Sequence, residues 1–351
     1  MMKYSSDSRF RGCGPHNLLR GEELVKIYHD SDVDMGVLDG KKVAVVGYGA
    51  QGRAQALCLH DSGLDIVVGV RKGGPSWKKA QEDGLKVAEI PDAVKGADVV
   101  MVLLPDEVQP DVYRDQIAPN MKKGSALEFA HGFSIVYGLI DPPEGIDVIM
   151  MAPKSPGDME RVAYLEGFGV PALISVERDF SGNAKNLALA LAKGIGSTRA
   201  GVFETTFEFE CKSDLFGEQA VLCGGVTALI KAGFETLREG GYPAEIAYFE
   251  VLHELKLIVD LIQDGGLMRM WEVVSNTAEF GGLTARDKVI TEESKKGMKE
   301  ILANIESGKF KDDWRAEWKN GLKNLKAMEK AEGEEEIEIV GKQIRSLFER
   351  K

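Results

Sequence analysis

Two hydrophobic patterns divide the chain. From residue 41 to about 200, short β-branched runs alternate with helical stretches. The runs VAVVG (43–47), DIVVGV (65–70), ADVVMVLL (97–104), SALEFA (125–130) and DVIMMA (147–152) read as strands. Their nearly unbroken apolar character predicts strands covered on both faces, as in a parallel sheet flanked by crossover helices. After about residue 206 the strand pattern stops. Long apolar-rich segments follow at 213–239, 243–264, 266–280 and 291–306, and then a charged helical tail from residue 312. The expected fold is a doubly wound α/β sheet of Rossmann type followed by an all-α domain. The expected division is an N-terminal extension at 1–23, a nucleotide-binding domain at 24–206 and a helical domain at 207–351.

Composition narrows the classes. The 351 residues suit two domains, and 44% apolar with 28% charged residues is the balance of a folded globular chain. A net charge of -12 withholds the broad positive field that non-specific nucleic-acid binding needs, so no nucleic-acid partner is expected. The longest uncharged stretches run to about a dozen residues, short of the roughly 18 needed for a membrane span, and no membrane association is expected. The first residues are polar and lack an apolar signal core, so they read as a mobile tail. Cys13, Cys58, Cys211 and Cys223 form no CxxC pair, which argues against a zinc cage or disulfide framework and suits the cytoplasm.

Gly47-Tyr48-Gly49-Ala50-Gln51-Gly52 fits GxGxxG between the first strand and a helical stretch. Its glycines permit a tight turn and close approach to a pyrophosphate, which the amides of the helix N-terminus would hold. The bland alternative is a glycine-rich structural turn. About 20 residues on, where an NAD enzyme presents an acid to the ribose, the chain has Arg71 and Lys72, then Gly73, Gly74, Pro75 and Ser76. A guanidinium pairs with a 2′-phosphate and stacks on adenine, so NADPH is the expected cofactor, with use of NADH left open. Otherwise Arg71 and Lys72 are a solvated loop.

Asp214 and Glu218 are four residues apart, as are Glu250 and Glu254. On a helix each pair places two like charges on one face, and the stripes continue into apolar positions. Buried, mutually repelling carboxylates need positive charge between them. Two readings stand side by side: a site for two Mg²⁺ or Mn²⁺ ions, or salt bridges to a neighbouring Lys or Arg. His253, between the two glutamates, reads as a packed or supporting residue.

Seven separated motifs in order, GYGAQG, LLPDEVQ (103–109), EFAHGF (128–133), MAPKSPG (151–157), DLFGEQAVLCGG (214–225), YFEVLHELKLIVDLI (248–262) and SNTAEFGG (275–282), resemble ketol-acid reductoisomerase. The resemblance runs from about residue 26 to the end and looks like the short form, with a single helical domain. It implies cofactor contacts at Tyr48, Gly49, Ala50, Gln51, Arg71, Ser76, Asp106, Glu107, Val108, Gln109 and Gly157. It implies metal ligation by Asp214 and Glu218 from one subunit and by Glu250 and Glu254 from its partner, and hence at least a dimer with shared active sites. His131 matches an active-site histidine, Lys154 an active-site lysine and Ser275 the residue that binds the substrate carboxylate. Glu218 is the candidate proton relay.

The reaction so implied converts 2-acetolactate or 2-aceto-2-hydroxybutyrate into a 2,3-dihydroxy acid, by Mg²⁺-dependent alkyl migration and then reduction by NADPH, in valine and isoleucine synthesis. Three departures stand out. Gly74 replaces a common phosphate-binding serine, Asp158 replaces a common histidine, and the tail before about residue 24 has no short-form counterpart. A β-hydroxyacid dehydrogenase, which needs no divalent metal, and a non-catalytic NADP-sensing module are the competing readings.

Overall fold

The computed structural model describes residues 25–348; the expected extension at 1–23, with Cys13, lies outside the described residues. The chain forms two compact units. The first takes the chain up to Leu104, then Gln116–Ala130 and Pro142–Thr206; the second takes Pro105–Asp115, His131–Asp141 and the chain from Phe207 onward. A single cut at 206 therefore leaves out two excursions. His131–Asp141 joins the second unit because Phe133, Val136 and Tyr137 complete a core with Cys211, Leu215 and Ile305.

The first unit is built on a nine-stranded sheet. Its strands are β1 (Ile27–Tyr28), β2 (Lys42–Val46), β3 (Asp65–Gly69), β4 (Lys86–Ala88), β5 (Val99–Val102), β6 (Ala126–Phe129), β7 (Asp147–Pro153), β8 (Ala172–Arg178) and β9 (Val202–Glu204). Strands β4-β3-β2-β5-β6-β7 are neighbours in that order and all parallel, the order of a dinucleotide-binding sheet. The five expected strands are all present, with ends displaced by no more than two residues.

The sheet is not purely parallel, because β8 runs antiparallel to β7 and β1 antiparallel to β9. Strands β1, β4, β8 and β9 are additions to the five expected from the sequence. Three of these are two or three residues long, and β8 mixes Ser175, Glu177 and Arg178 into its run, as suits a strand not buried on both faces. Val43 and Val45 face a core shared with Ala56, Cys58 and Leu59 of α1 (Ala50–Asp61) and with Leu187–Ala192.

Among the described residues no strand follows Glu204. The second unit opens with helix Phe207–Gly217, a five-residue π turn at Glu218–Leu222 and helix Gly224–Glu239. Together, Phe207–Glu239 is long and apolar enough to cross a membrane by length and composition: an 18-residue window within it has mean hydropathy 1.4, and 11% of that window is buried. The expectation of no such segment rested on runs without any charge, whereas this one carries Asp214 and Glu218.

Ala244–Tyr248, a second π turn at Phe249–His253 and helix Leu255–Val273 come next, the last broken at Gly265 and Gly266, where Gly266 has φ 79°. Phe234, Ala247, Tyr248, Val340 and Ile344 form the other core of this unit.

Candidate active site

In the first unit, β2 leads into the glycine-rich turn, and its three glycines have different physical reasons. Gly47 has φ 105°, and a Cβ there would lie 2.3 Å from the Leu103 carbonyl oxygen. A Cβ on Gly52 would lie 2.5 Å from the Gly47 oxygen, so this glycine permits close packing of α1 on the strand. Gly49 has nothing within 4 Å of its Cβ position, which leaves room for a ligand to approach the backbone.

Gly49 is also the N-cap of α1 and provides no side-chain cap, so the first amides, of Ala50 and Gln51 among them, point to an open helix end suited to an anion. Gly157 comes so close to this end that its Cβ would lie 2.3 Å from the Ala50 oxygen, while Gln51 Nε2 donates to the Ser155 oxygen at 2.7 Å. We expect Gly47→Ala to cost about 1–3 kcal/mol in backbone strain alone. Urea denaturation and loss of NADPH binding would register it; an unchanged unfolding midpoint would contradict this account of the turn.

Arg71 is exposed just after β3, and Gly74 is the N-cap of α2 (Pro75–Glu82), which places Ser76 in the first turn of that helix. A Cβ on Gly74 would sit 3.2 Å from the Arg71 oxygen and 3.7 Å from its Nε, so the absent side chain leaves space beside the guanidinium. Tyr48 differs from a simple cofactor contact. Its side chain is buried and its hydroxyl donates to Asp83 at 2.9 Å, so what it offers a cofactor is backbone. Asp83 also receives Arg53 Nε at 2.7 Å, and that guanidinium first, with Tyr48 and Lys79, lowers its carboxyl to about 2. Nothing in the periodicity of the sequence marked Asp83.

In the second unit, His131 opens the segment that follows β6. Its Nδ1 lies 3.1 Å from Glu210 Oε2 and 3.7 Å from Asp214 Oδ2. Glu210 is 1% exposed and also accepts the Gly132 N–H at 3.0 Å. Gly132 is required here, because a Cβ would stand 2.7 Å from the Phe207 oxygen. Burial favours the neutral imidazole, but the bonds to Cys211 and Glu210 and the charges of Glu210 and Asp106 outweigh it and push His131 up to about 11.

Burial first, then the charges of Glu107, Glu218 and Glu210, raises Asp106 to about 6 against the opposing His131. Gln109 departs from the expected cofactor contact: it is buried, accepts from Ser134 Oγ at 2.8 Å and donates to Asp106 at 3.1 Å. It therefore ties the two excursions together. Glu107 and Val108 are half-buried on the same loop.

Among the described residues, one group of three or more possible metal ligands converges: His131, Glu210 and Asp214, with ligand atoms within 4.8 Å of one another. Glu210 was missed in the sequence, although it lies four residues before Asp214 and so extends the 214/218 stripe by one turn. Glu218 follows as the exposed first residue of its π turn.

The expectation that all four paired carboxylates are buried is not met. Glu218, Glu250 and Glu254 are exposed, and Glu250 and Glu254 do not join the converging group. The reason is that the apolar stripe around them is itself open: Leu222 is 69%, Leu257 58% and Ile246 48% exposed. Each pair adjoins a π turn, Glu218 opening the first and Glu250 lying within the second; the turns are closed by Cys223 N–H to the Glu218 oxygen at 3.0 Å and Glu254 N–H to the Phe249 oxygen at 3.1 Å. Such turns interrupt the α-helical spacing and are frequent at functional sites.

Lys154 is exposed just beyond β7, in the first unit. Ser275 is the N-cap of helix Asn276–Val289, its Oγ accepting from Ala278 N–H at 3.2 Å, which leaves an exposed helix N-terminus suited to a carboxylate.

Comparison with known proteins agrees with this layout. Residues 37–201 match the acetohydroxy acid isomeroreductase NADPH-binding domain, and residues 207–350 match the ketol-acid reductoisomerase C-terminal domain. The chain is 56% identical over 324 residues to a ketol-acid reductoisomerase (NADP(+)) of Methanocaldococcus jannaschii, covering 92% of this chain and 98% of that protein. It is 55% identical over 323 residues to the enzyme of the same name from Methanothermobacter thermautotrophicus, with the same coverage. A solved structure of an NADH-preferring ketol-acid reductoisomerase from an uncultured archaeon matches with TM-score 0.90 and 53% identity, over 93% of this chain and 100% of that one. The chain belongs to the ketol-acid reductoisomerase family of NADP-dependent oxidoreductases.

Proposed function

We propose that this enzyme isomerises 2-acetolactate or 2-aceto-2-hydroxybutyrate with Mg²⁺ and reduces the product with NADPH to the 2,3-dihydroxy acid. The observation that carries the reading is the convergence of His131, Glu210 and Asp214, with Glu218 four residues on. Of this group the Glu210 and Asp214 oxygens are donors of the kind Mg²⁺ prefers, whereas His131 is held by Glu210 as its ion-pair partner. Asp214 and Glu218, with Glu250 and Glu254 from a second copy, would hold two ions. Bound there, the ions supply Lewis acidity and lower the pKa of the substrate hydroxyl; bound NADPH supplies the hydride.

The chain's own groups do the rest. Glu210 holds the His131 ring through Nδ1 and fixes its orientation beside Asp214. Glu218 relays the proton of the tertiary hydroxyl. Lys154 offsets negative charge, and the Ser275 helix end receives the substrate carboxylate. The exposed apolar face around Glu250 and Glu254 supports self-association as at least a dimer with shared sites. Nothing in this reading calls for nucleic acid, a membrane or a compartment other than the cytoplasm.

The test follows nicotinamide absorbance with 2-acetolactate, either reduced nucleotide, and Mg²⁺ supplied or removed by EDTA. Turnover that survives chelation would refute the metal-dependent mechanism and favour a β-hydroxyacid dehydrogenase. The bare Gly74 beside Arg71 bears on nucleotide choice, since one phosphate partner is missing there. Arg71→Asp should raise the KM for NADPH far more than for NADH; equal effects on both would remove the phosphate assignment.

A further inference from the structure

Beneath the glycine-rich turn, the first unit buries two carboxyl groups that the proposed chemistry does not use. Glu128 on β6 is 0% exposed, and Glu160 on helix Gly157–Leu165 is 1% exposed. Strand alternation puts Glu128 on the face of Ala126, which packs in the core containing Met101, Ile149, Met151 and Cys58. Glu160 acts electrostatically on both Glu128 and Cys58, so the three share one region of the interior.

Four acceptor atoms here have no hydrogen-bond partner: Glu128 Oε2, both Glu160 oxygens, and Oε1 of Gln55, which is 0% exposed on α1 one turn before Cys58. The remaining Glu128 oxygen accepts Met151 N–H at 3.2 Å. Of the charged and titratable neighbours, α1 contributes Cys58 and Asp61; β7 contributes that backbone N–H and, paired with Ala126, the buried Asp147, whose oxygens accept from Phe180 N–H, Ser181 N–H and Ser181 Oγ. Arg161, next to Glu160 on its helix, donates to Asp61 at 2.5 Å and to Cys58 Sγ at 3.7 Å, and hydrogen-bonds neither carboxyl. Two ionised carboxylates in such a place would be uncompensated, whereas each carboxyl proton turns an orphaned acceptor into a donor.

We propose that Glu128 and Glu160 are held as neutral, protonated carboxyls in the interior shared by β6, α1 and helix Gly157–Leu165, and that this protonated interior keeps the phosphate-binding turn in place, loosening as the carboxyls ionise. The two helices meet at that turn, through the Gln51 bond to Ser155 and the close approach of Gly157 to Ala50. Gln55 extends the connection inward, donating to Gln51 Oε1 at 3.2 Å.

Burial raises Glu160 from 4.5 to about 8 and Glu128 well above the usual carboxylate range. Because the folded value is the higher one, the stability linked to Glu160 is full below 4.5, declines as pH rises and is exhausted above about 8. Cofactor affinity, if one proton is linked, weakens by at most about tenfold per pH unit once the pair ionises.

The test compares the full chain with Glu160→Gln and with Glu128→Gln, by thermal melting and by NADPH titration across about pH 6 to 9. The expected result is a wild-type melting temperature that falls with pH more steeply than that of either variant, and an NADPH Kd that rises toward alkaline pH in the wild type alone. Parallel melting curves would overturn the protonated pair. A melting difference without the affinity difference would overturn its connection to the turn. Only the titration arm depends on the cofactor reading. If neither variant folds, infrared titration of the wild type decides: a protonated-carboxyl band that persists at neutral pH supports the pair, and its absence refutes it.

Discussion

Glu218→Gln is expected to lower turnover of 2-acetolactate by about 10²–10⁴-fold, while leaving part of the NADPH-dependent reduction of the preformed 2-keto intermediate. Gln keeps the length and polarity of Glu218 but removes its charge and its ability to take up a proton. The side chain is exposed on the first residue of the π turn, so the change disturbs no packing, and helicity and NADPH binding should stay as in the wild type. Separate assays of the two steps read the result. Equal loss of both would make Glu218 a ligand without a proton role in the first step, and unchanged turnover would remove it from the site.

Leu222→Glu combined with Leu257→Glu is expected to leave a folded monomer with no measurable turnover. Both side chains are more than half exposed, so the substitutions cost a single chain little in packing. An association surface, by contrast, would have to bury two new charges without partners. Light scattering gives the mass, circular dichroism the helicity and the nicotinamide assay the activity. An active monomer would end the proposal that Glu250 and Glu254 serve the Asp214 and Glu218 of another copy. An active dimer would place the association surface elsewhere on the chain.

Much of the first unit was legible because its strands carry their environment in their composition. A run such as Val43–Val46 has no polar face, and only a strand covered on both sides accommodates that. The glycine fingerprint was legible for a similar reason, since Gly47 and Gly52 stand where backbone approach forbids a Cβ. Short edge strands such as β4 were not legible, because three residues hold too little pattern. A hint of the buried acid on β6 was present in SALEFA, where a charge interrupts an apolar strand. Its neighbour Glu160 lies on an amphipathic helix, where a glutamate looks like any surface acid.

The sequence by itself determined the two-part architecture, the nucleotide turn and the spacing of the carboxylate pairs, because each depends on residues close together in the chain. Only the tertiary structure decided that Glu210 grips His131 beside Asp214, that Gln109 braces Asp106 and Ser134, and that Glu250 and Glu254 face outward. Helical periodicity says which residues share a face, but not what covers it. That depends on contacts between segments far apart in sequence, and for the open apolar face of the helical unit the contact is supplied by no described part of the same chain.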